Sequence, residues 1–484
     1  MQVLNKHKTI FIISFVFAVI YALISLVNHY NFRTYALDLG LYTNAAFNYA
    51  HGQLGNSNMI KDYYEPILGT HFDLYLLLFS PFTYLLGSYT LLIIQIAALI
   101  AGGVGVYYYF SLSASNKQQT PYLAATYFYI FFGVFGAVSY DYHSVVIAAS
   151  LVPWFFVAIY CNRKLLAIFL LLFMIISQEN FALFLFFICL GLIIEYRHNT
   201  KMMLHLLLLS VISLVYFLSV LYYIIPYFSP HKAYQGLSYS YFGNSINHII
   251  KTLINNPVNS FKLLFINHKN IDSGNFVKAE AHLILVASGL PILLKKPQYL
   301  FMLIPIYFQK FYHDSYAMWG IGGQYNIEFT PVLAIGIFKA ISDFKNKKTR
   351  LIVSAIVLLT TTVATFRIMD NTVLWTDKSR IRFYQMRHYK RNYDVKSVHW
   401  HIHKIPDSVA VSAQAAFVPH LALRSKIYQF PVIKDADYII YSPHEGTYPL
   451  TNNEFLTKIN DLENSSEWKI HYKGIVTILK RTSK

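Results

Sequence analysis

Long apolar stretches separated by short polar breaks occupy residues 1–369 of the chain. The stretches at residues 10–27, 91–110 and 351–368 carry almost no charge. Each is close to the roughly 20 residues that an apolar α-helix needs to cross a bilayer. A helix suits that environment because it satisfies its own backbone N–H and C=O groups. The pattern therefore predicts an α-helical polytopic membrane protein over residues 1–369.

The apolar stretches predict about 11 transmembrane helices. They lie at residues 10–27, 91–110, 121–138, 144–160, 165–177, 181–194, 202–225, 281–294, 299–308, 329–341 and 351–368. A further apolar stretch, at residues 74–86, is short for a span and contains Pro81, which removes a helical hydrogen bond. We predict that it forms an interfacial or re-entrant helix that stays on the outer side.

The positive charges predict the orientation of these spans. Lys and Arg are concentrated in short breaks such as residues 163–164, 197–201 and 345–350, and loops of this kind stay in the cytoplasm. The N-terminus is then cytoplasmic. Three segments lie on the outer side: residues 31–87 (the first loop), residues 226–280 (the long loop) and residues 370–484. Lysines of the long loop could guide an anionic lipid phosphate, although a plain solvated loop explains them equally well.

Composition supports a membrane location and argues against nucleic acid. The 484 residues are 55% hydrophobic and 13% charged, whereas about 25% of residues are charged in a typical soluble domain. The net charge of +17 is explained by the topology and by anionic lipid. Phosphate-loop and nucleic-acid motifs do not occur in the sequence, and its two cysteines, Cys161 and Cys189, have no disulfide or metal-ligand pattern.

From residue 370 the chain becomes polar and charged, which indicates a separate domain (the C-terminal domain, residues 370–484). Strand-like runs occur at residues 408–412, 426–432, 438–441 and 475–480, with helix-like segments at 376–404 and 453–462. We predict a small α/β domain outside the membrane. His399, His401 and His403 do not predict a metal site, because only His399 and His403 share a helix face.

Carboxylates and histidines cluster in the breaks that are predicted to face outward. Such groups beside a membrane span usually have a task or a partner, although in a solvated loop they cost nothing. Those of the first loop are Asp38, His51, Asp62, Glu65, His71 and Asp73. Later breaks contribute Asp141, His143, Glu179, His313, Asp314 and Tyr325. Their shared side predicts one outer-face site, with Glu179 in a recessed cavity.

Several motifs resemble a family of bacterial membrane proteins that is defined by a domain of unknown function and placed with the GT-C glycosyltransferases. They are LDLGLYTNAAFNYAHG (residues 37–52), GTHFD (69–73), DYHSVVIA (141–148), QEN (178–180) and IPDSVAVSAQAAFVPHLALRSKIYQFP (405–431). The family often has Lys-Glu-Asp where this chain has Gln178, Glu179 and Asn180. Only Glu179 carries over from that motif.

The resemblance implies a GT-C-like fold and a glycosyltransferase of the bacterial cytoplasmic membrane. Such enzymes take a sugar from a polyprenyl-phosphate donor and pass it to a glycan, lipid or protein acceptor on the outer face. They place an essential acid in the first outer loop, which Asp38 matches by location. Glu65 is our choice for a second acid, and Asp73 is the alternative.

The implied roles follow the chemistry of sugar transfer. Asp38 is expected to act as general base, with Glu65 or His71 orienting the acceptor or binding a divalent ion. We expect Asp141, His143 and Glu179 on the phosphate side and Asp73, His313, Asp314 and Tyr325 among the substrate contacts. The sequence leaves open whether a divalent metal ion takes part; if one does, Asp38 and Glu65 are its expected ligands.

Two other function classes stay open. A transporter or flippase of a lipid-linked glycan would also carry acids within broken helices, but it should show two related halves, and we find no such repeat. A non-catalytic envelope assembly protein would use the C-terminal domain for binding and leave the loop carboxylates idle. Asp38 would then be a helix-end carboxylate beside Tyr35 or Arg33, and His71 a residue at the start of a helix.

Overall fold

A computed structural model describes residues 2–482, apart from residues 62, 113–118 and 244, with side chains from His7 onward. Asp62, one carboxylate of the first loop, lies outside the described residues. The chain is largely helical up to Met369 and ends in a small sheet. The principal helices before the sheet are Gln2–Tyr30, Leu41–Ala50, Thr90–Ser111, Thr120–Ile130, Phe132–Ser139, Ser144–Tyr160, Lys164–Ile175, Glu179–Glu195, Thr200–Ser219, Ile246–Asn255, Val277–Ala287, Ile304–Phe311, Phe329–Ser342 and Lys347–Met369.

Fewer helices than expected are long and apolar enough to cross a membrane. In the described part of the chain there are four: His7–Tyr30, Tyr75–Ser111, Thr200–Phe228 and Lys347–Met369. A fifth is formed if Thr120–Ile130 and Phe132–Ser139, bent by 41°, count as one span. Shorter apolar helices make up much of the remainder, so the count of eleven is not confirmed.

The region around residues 277–311 illustrates why the helices are short. A helix at Val277–Ala287 is followed by a 3₁₀ segment at Leu290–Lys295 and by helices at Pro297–Met302 and Ile304–Phe311. Prolines occupy the first turn of each of the last three segments. A proline starts a helix well but cannot continue one from the preceding turn, because it lacks the N–H.

The first loop is structured throughout most of its length. It begins with a π-helical turn, Ala36–Gly40, that leads directly into Leu41–Ala50. The stretch at residues 74–86 is helical but broken, with helices at Tyr75–Phe79 and Thr83–Leu86 on either side of a 3₁₀ turn that contains Pro81. Its depth in the membrane stays a prediction.

Small residues bring the central helices close together. A Cβ atom added at Gly102, in helix Thr90–Ser111, would lie 3.0 Å from the backbone oxygen of Ser150 in helix Ser144–Tyr160. At the next turn, Trp154 Nε1 donates to the backbone oxygen of Ala101 over 2.9 Å. These two helices therefore form a tight central pair, and both lead to the breaks that carry the candidate residues.

The C-terminal domain contains a five-stranded sheet with the order β2-β1-β3-β5-β4. The strands are β1 (Val411–Ala413), β2 (Ile427–Gln429), β3 (Tyr438–Tyr441), β4 (Trp468–Lys473) and β5 (Thr477–Arg481). Strand β1 is parallel to β2 and β3, while β5 is antiparallel to β3 and β4. Helix Asn452–Asn464 precedes β4 and starts with a capping box between Thr451 and Glu454. The sequence predicted every strand except the edge strand β4.

The C-terminal domain packs on the first loop through hydrogen bonds to backbone oxygens. Asn44 Nδ2 donates to the oxygens of Ala422 and Arg424, over 2.9 and 2.8 Å. In the other direction, Gln429 N donates to the oxygen of Met59 over 2.7 Å. The basic segment at residues 376–404, expected to be helical, is helical only at Met386–Tyr389 and Val395–His403 beyond one 3₁₀ turn.

Candidate active site

A polar cavity of about 170 Å³ lies where the first loop meets the breaks before helices Ser144–Tyr160, Glu179–Glu195 and Phe329–Ser342. Side chains from five separate parts of the sequence reach it, so the fold rather than a local motif assembles it. Candidate residues from the sequence that line it are Asp38, His71, Asp73, His143 and Tyr325.

Asp38 lies in the π-helical turn Ala36–Gly40, which presents its carboxylate to the cavity with 22% of the side chain exposed. The C-terminal domain packs closely against this turn at Gly40. A Cβ atom at Gly40 would lie 2.9 Å from Val418 Cγ1, so the approach depends on the glycine. The Asp38 Oδ1 atom is 3.5 Å from His143 Nε2.

The backbone of His143 is fixed by a glutamine from the central helix. Gln95 Oε1 accepts a 2.9 Å hydrogen bond from His143 N, and Gln95 itself is fully buried. The imidazole contacts a second amide, because Gln324 Nε2 is 3.0 Å from His143 Nε2. Among the described residues no partner meets His143 Nδ1, although that atom is buried. His143 is thus held beside Asp38 with one nitrogen uncommitted.

A second acid–histidine pair reaches the same cavity through its histidine. His71 lines the cavity, whereas Glu179, which was expected in a recessed cavity, is fully buried and is not part of the lining. His71 Nδ1 lies 2.9 Å from Glu179 Oε1, and Tyr234 donates to the same oxygen over 2.9 Å. The backbone N–H of Phe72 contacts the other oxygen over 3.2 Å. Burial favours a neutral His71, but the Glu179 carboxylate outweighs it and raises the pKa of His71. The pair can therefore present a cationic imidazole to the cavity.

Asp73 also lines the cavity and is almost fully buried. It accepts hydrogen bonds from the Ser144 hydroxyl and, over 2.8 Å, from the backbone N–H of Tyr75. Burial nevertheless dominates and raises the pKa of Asp73 to about 7. This carboxyl can gain or lose a proton near neutral pH.

Asp141 points away from the cavity. Its Oδ1 lies 2.6 Å from Arg380 Nη2, and its Oδ2 accepts a 2.9 Å hydrogen bond from Tyr35 N. Burial raises the pKa of Asp141 against the effect of Arg380. Asp141 therefore links the start of the first loop to the C-terminal domain.

Three other candidates lie outside the cavity lining. Glu65 is buried and paired with Lys61, with Ser57 donating to it over 3.4 Å. Asp314 accepts from Ser240 over 2.7 Å and pairs with Lys269 over 3.2 Å. His313 accepts from the backbone of Ser315 and stacks edge-on with Tyr239. These contacts give each of them a local structural partner.

The cavity also contains residues that sequence reasoning missed, namely Gln309, Gln324 and Glu328. Each has a buried oxygen that meets no hydrogen-bond partner among the described residues. Burial raises the pKa of Glu328 to about 7. A glutamate immediately before an apolar stretch is the signal that identified Glu179, and the same signal was present at Glu328.

The described residues do not form the metal site that was expected at Asp38 and Glu65. Asp38 lines the cavity and Glu65 does not, and no three His, Cys, Asp or Glu side chains in the described ranges are grouped as a metal site requires. In helix Val395–His403, His399 packs on Phe32 and lies beside His403, whereas His401 stacks on Tyr472.

A second cavity, of about 390 Å³, adjoins the first and shares Gln324 and Tyr325 with it. Its walls include Tyr35, Tyr140, Leu374 and the cationic side chain of Arg380. The Asp38 cavity therefore continues toward the segment that leads into the C-terminal domain.

Comparison with known proteins gives a family but no close relative. No curated protein matches the chain. A crystal structure of the Archaeoglobus fulgidus oligosaccharyltransferase in the apo form is similar over 90% of this chain and 69% of that chain, with a TM-score of 0.43 and 11% sequence identity. A likeness at this level carries no argument about fold or activity. The family model described as "Predicted membrane protein (DUF2079)" matches residues 28–474, and this chain belongs to that family.

Proposed function

We propose that the protein is a membrane glycosyltransferase, which moves a sugar from a polyprenyl-phosphate-linked donor to an acceptor on the outer face of the bacterial cytoplasmic membrane. The observation that carries the proposal is one cavity lined by Asp38, His143 and His71, with Glu179 paired to His71. One pair offers a carboxylate that can take a proton, and the other offers an imidazole that can face an anion. Sugar transfer from a phosphate needs both kinds of group.

In the proposed reaction the acceptor hydroxyl attacks the anomeric carbon of the donor sugar. Its proton passes to the Asp38 carboxylate as the new C–O bond forms. The bond between the anomeric carbon and the phosphate oxygen breaks, and its electron pair stays on the lipid phosphate. A cationic His71, held by Glu179, stabilises the charge that develops there.

His143 has a positioning role in this proposal. Its imidazole is 3.5 Å from the Asp38 carboxylate and is fixed by Gln95 and Gln324. In this proposal the fixed imidazole restricts the orientations of the Asp38 carboxylate. The carboxylate is then pre-organised to contact the acceptor hydroxyl. Asp73, which lines the same cavity, is proposed to contact the substrate.

The membrane topology is part of the same proposal. A cytoplasmic N-terminus and an odd number of crossings, eleven by the sequence pattern, would put the first loop and the C-terminal domain on the outer side. Several of the shorter helices would then cross only a thinned or water-filled part of the membrane. Labelling of single cysteines introduced in the first loop and at residues 345–350 would test the orientation directly.

The test of function is transfer of radiolabel from polyprenyl-phosphate sugars in membranes that contain the wild type or Asp38→Asn. Loss of a general base lowers rates by about 10²–10⁴-fold, so we expect label transfer by Asp38→Asn to fall by at least about 100-fold. Asp407→Asn is the matched control, because the Asp407 side chain is 93% exposed. Equal transfer by wild type and Asp38→Asn would reject the proposal.

Glu65→Gln separates the two assignments of the second acid. If Glu65 acts in the chemistry, as its position in the first loop suggests, this variant should lose transfer as Asp38→Asn does. If it serves its pair with Lys61, transfer by correctly inserted protein should persist, and Asp73→Asn should show the larger loss.

A further inference from the structure

A third cavity, of about 620 Å³, lies between the end of helix Lys347–Met369 and the sheet. Basic side chains dominate its walls, and we call it the basic pocket. They are Arg33, Lys378, Arg382, Arg387, Lys390 and Arg391. Among the described residues that line it, Asp377 contributes the single carboxylate. The basic pocket therefore concentrates positive charge that the chain itself does not neutralise.

The pairing of these cations shows how much charge is left over. Arg391 is paired with Glu445, and Arg382 lies 3.6 Å from Asp370. Within the described part of the chain, Arg387 and Lys390 form no ion pair, and both are exposed. Lys378 donates to Thr372, Thr376 and the oxygen of Ile368 but to no carboxylate.

Arg33 gives the basic pocket a fixed wall. It is 3% exposed, and its guanidinium donates to the backbone oxygens of Arg387, His388 and Lys390. These bonds hold the segment whose side chains form the rim. The Nε atom of Arg33 is buried and meets no partner among the described residues. A buried donor without a partner costs free energy.

The basic pocket adjoins the second cavity, which in turn adjoins the Asp38 cavity. It shares Trp375 and Asp377 with the second cavity, and the second cavity shares Gln324 and Tyr325 with the first. The donor phosphate is bonded directly to the anomeric carbon, so it must lie beside Asp38. An anion in the basic pocket is consequently a different group, several bonds from the reaction.

We propose that the basic pocket binds a phosphate group of the acceptor, and that the acceptor is therefore a phosphate-bearing glycan that reaches Asp38 through the second cavity. This inference rests on the proposed function. A phosphate suits the pocket because arginine forks bind its oxygens in pairs and lysine adds a point charge. The row of adjoining cavities from this pocket to Asp38 favours a glycan, which must reach Asp38, over a lipid headgroup, which needs only a surface opening.

Calorimetric titration of the purified full chain with inorganic tripolyphosphate tests the inference without any donor or transfer. We expect binding by the wild type, and binding weaker by on the order of tenfold for Arg387→Gln/Lys390→Gln, which loses two charge-assisted contacts. Lys458→Gln/Lys469→Gln removes the same charge from exposed positions of the C-terminal domain and should bind like the wild type. Equal weakening in both double variants, or no binding by the wild type, would overturn the inference.

A second arm separates a glycan phosphate from a lipid headgroup. The wild type is titrated in nanodiscs of phosphatidylcholine and of phosphatidylglycerol at high enough salt to screen the surface charge. Similar affinity for tripolyphosphate in both supports an acceptor site. Abolished binding in phosphatidylglycerol alone would show that headgroups fill the pocket and would overturn the inference. Because binding is read without turnover, failure of this inference is distinguishable from failure of the transferase proposal.

Discussion

Arg380 and Asp141 form a buried ion pair across 239 positions of sequence, with Nη2 2.6 Å from Oδ1. The other carboxylate oxygen accepts the backbone N–H of Tyr35. One side chain thus joins the start of the first loop, the break before helix Ser144–Tyr160 and the segment that enters the C-terminal domain. Asp38 and His143 lie only a few residues from these junctions.

Arg380→Met should destabilise the protein strongly. Removing one partner of a buried ion pair leaves an unpaired charge, which typically costs about 3–5 kcal/mol. We expect a lower midpoint of thermal unfolding in detergent, with partial recovery in Arg380→Met/Asp141→Leu. Lys426→Gln is the control, because its pair with Asp435 is about half exposed on both sides and exposed pairs, screened by solvent, add little stability. Similar midpoints for Arg380→Met and the control would contradict this reading.

His143→Asn should lower the turnover of label transfer more than it raises the KM. The imidazole positions Asp38 rather than bonding the substrate in our proposal, so its loss affects the rate of the chemical step. We expect a decrease of about 10–100-fold in kcat, smaller than that of Asp38→Asn. His198→Asn alters an exposed histidine and should leave both parameters unchanged. A change confined to the KM would assign His143 to binding instead.

Asp73 should make stability depend on pH between about 4 and 7. The unfolded carboxyl ionises near about 4, whereas in the folded protein burial raises the pKa to about 7. Between these values the folded state keeps a proton that the unfolded state has lost. Stability therefore falls as the pH rises through this range, by roughly a few kcal/mol at most, and is constant above it.

Asp73→Asn should weaken that dependence, and the buried Glu328, whose pKa is also raised to about 7, should account for part of what is left. The measurement is the thermal midpoint of wild type and variant in detergent at closely spaced values from pH 5 to pH 8. We expect a shallower slope for the variant, and parallel curves would exclude Asp73 as the titrating group.

Gly136→Ala should disturb the Asp38 cavity from outside it. A Cβ atom at Gly136 would lie 2.4 Å from the backbone oxygen of Gly323, and a backbone atom cannot rotate away. The displaced segment carries Gln324 and Tyr325, so we expect reduced transfer and a lower thermal midpoint. Gly446→Ala is the matched control, since nothing lies within 4 Å of a Cβ atom there. Wild-type behaviour of Gly136→Ala would show that the loop adapts.

The sequence predicted the members of the cavity better than their pairings. Asp38, His71, Asp73, His143 and Tyr325 were chosen because charged or polar side chains are conspicuous among apolar stretches, and all line the cavity. Spacing along the chain cannot show that His71 pairs with Glu179, because 108 positions separate them. Glu65 shows that position in the sequence does not identify a cavity residue. It lies in the first loop, as Asp38 does, but its carboxylate pairs with Lys61.

Two glutamines and the edge strand β4 were the other features that the pattern did not reveal. Gln309 and Gln324 are neutral, so they do not stand out in a search for charge, yet they line the cavity. Strand β4 was missed because its exposed residues include Lys469, His471 and Lys473, which resemble a polar loop. The C-terminal strands with buried side chains were predicted because their apolar runs are bounded by turn residues.

Arg33 donates hydrogen bonds to the backbone at residues 387–390, and this has a consequence for truncated forms of the protein. Cutting the chain after Met369 would leave the Arg33 guanidinium and the Asp141 carboxylate stranded in an apolar setting and would remove the support behind Gly40. We therefore expect neither the helical part nor the C-terminal domain to keep its structure when it is expressed alone. Studies of either half would lack the contacts that hold the first loop in place.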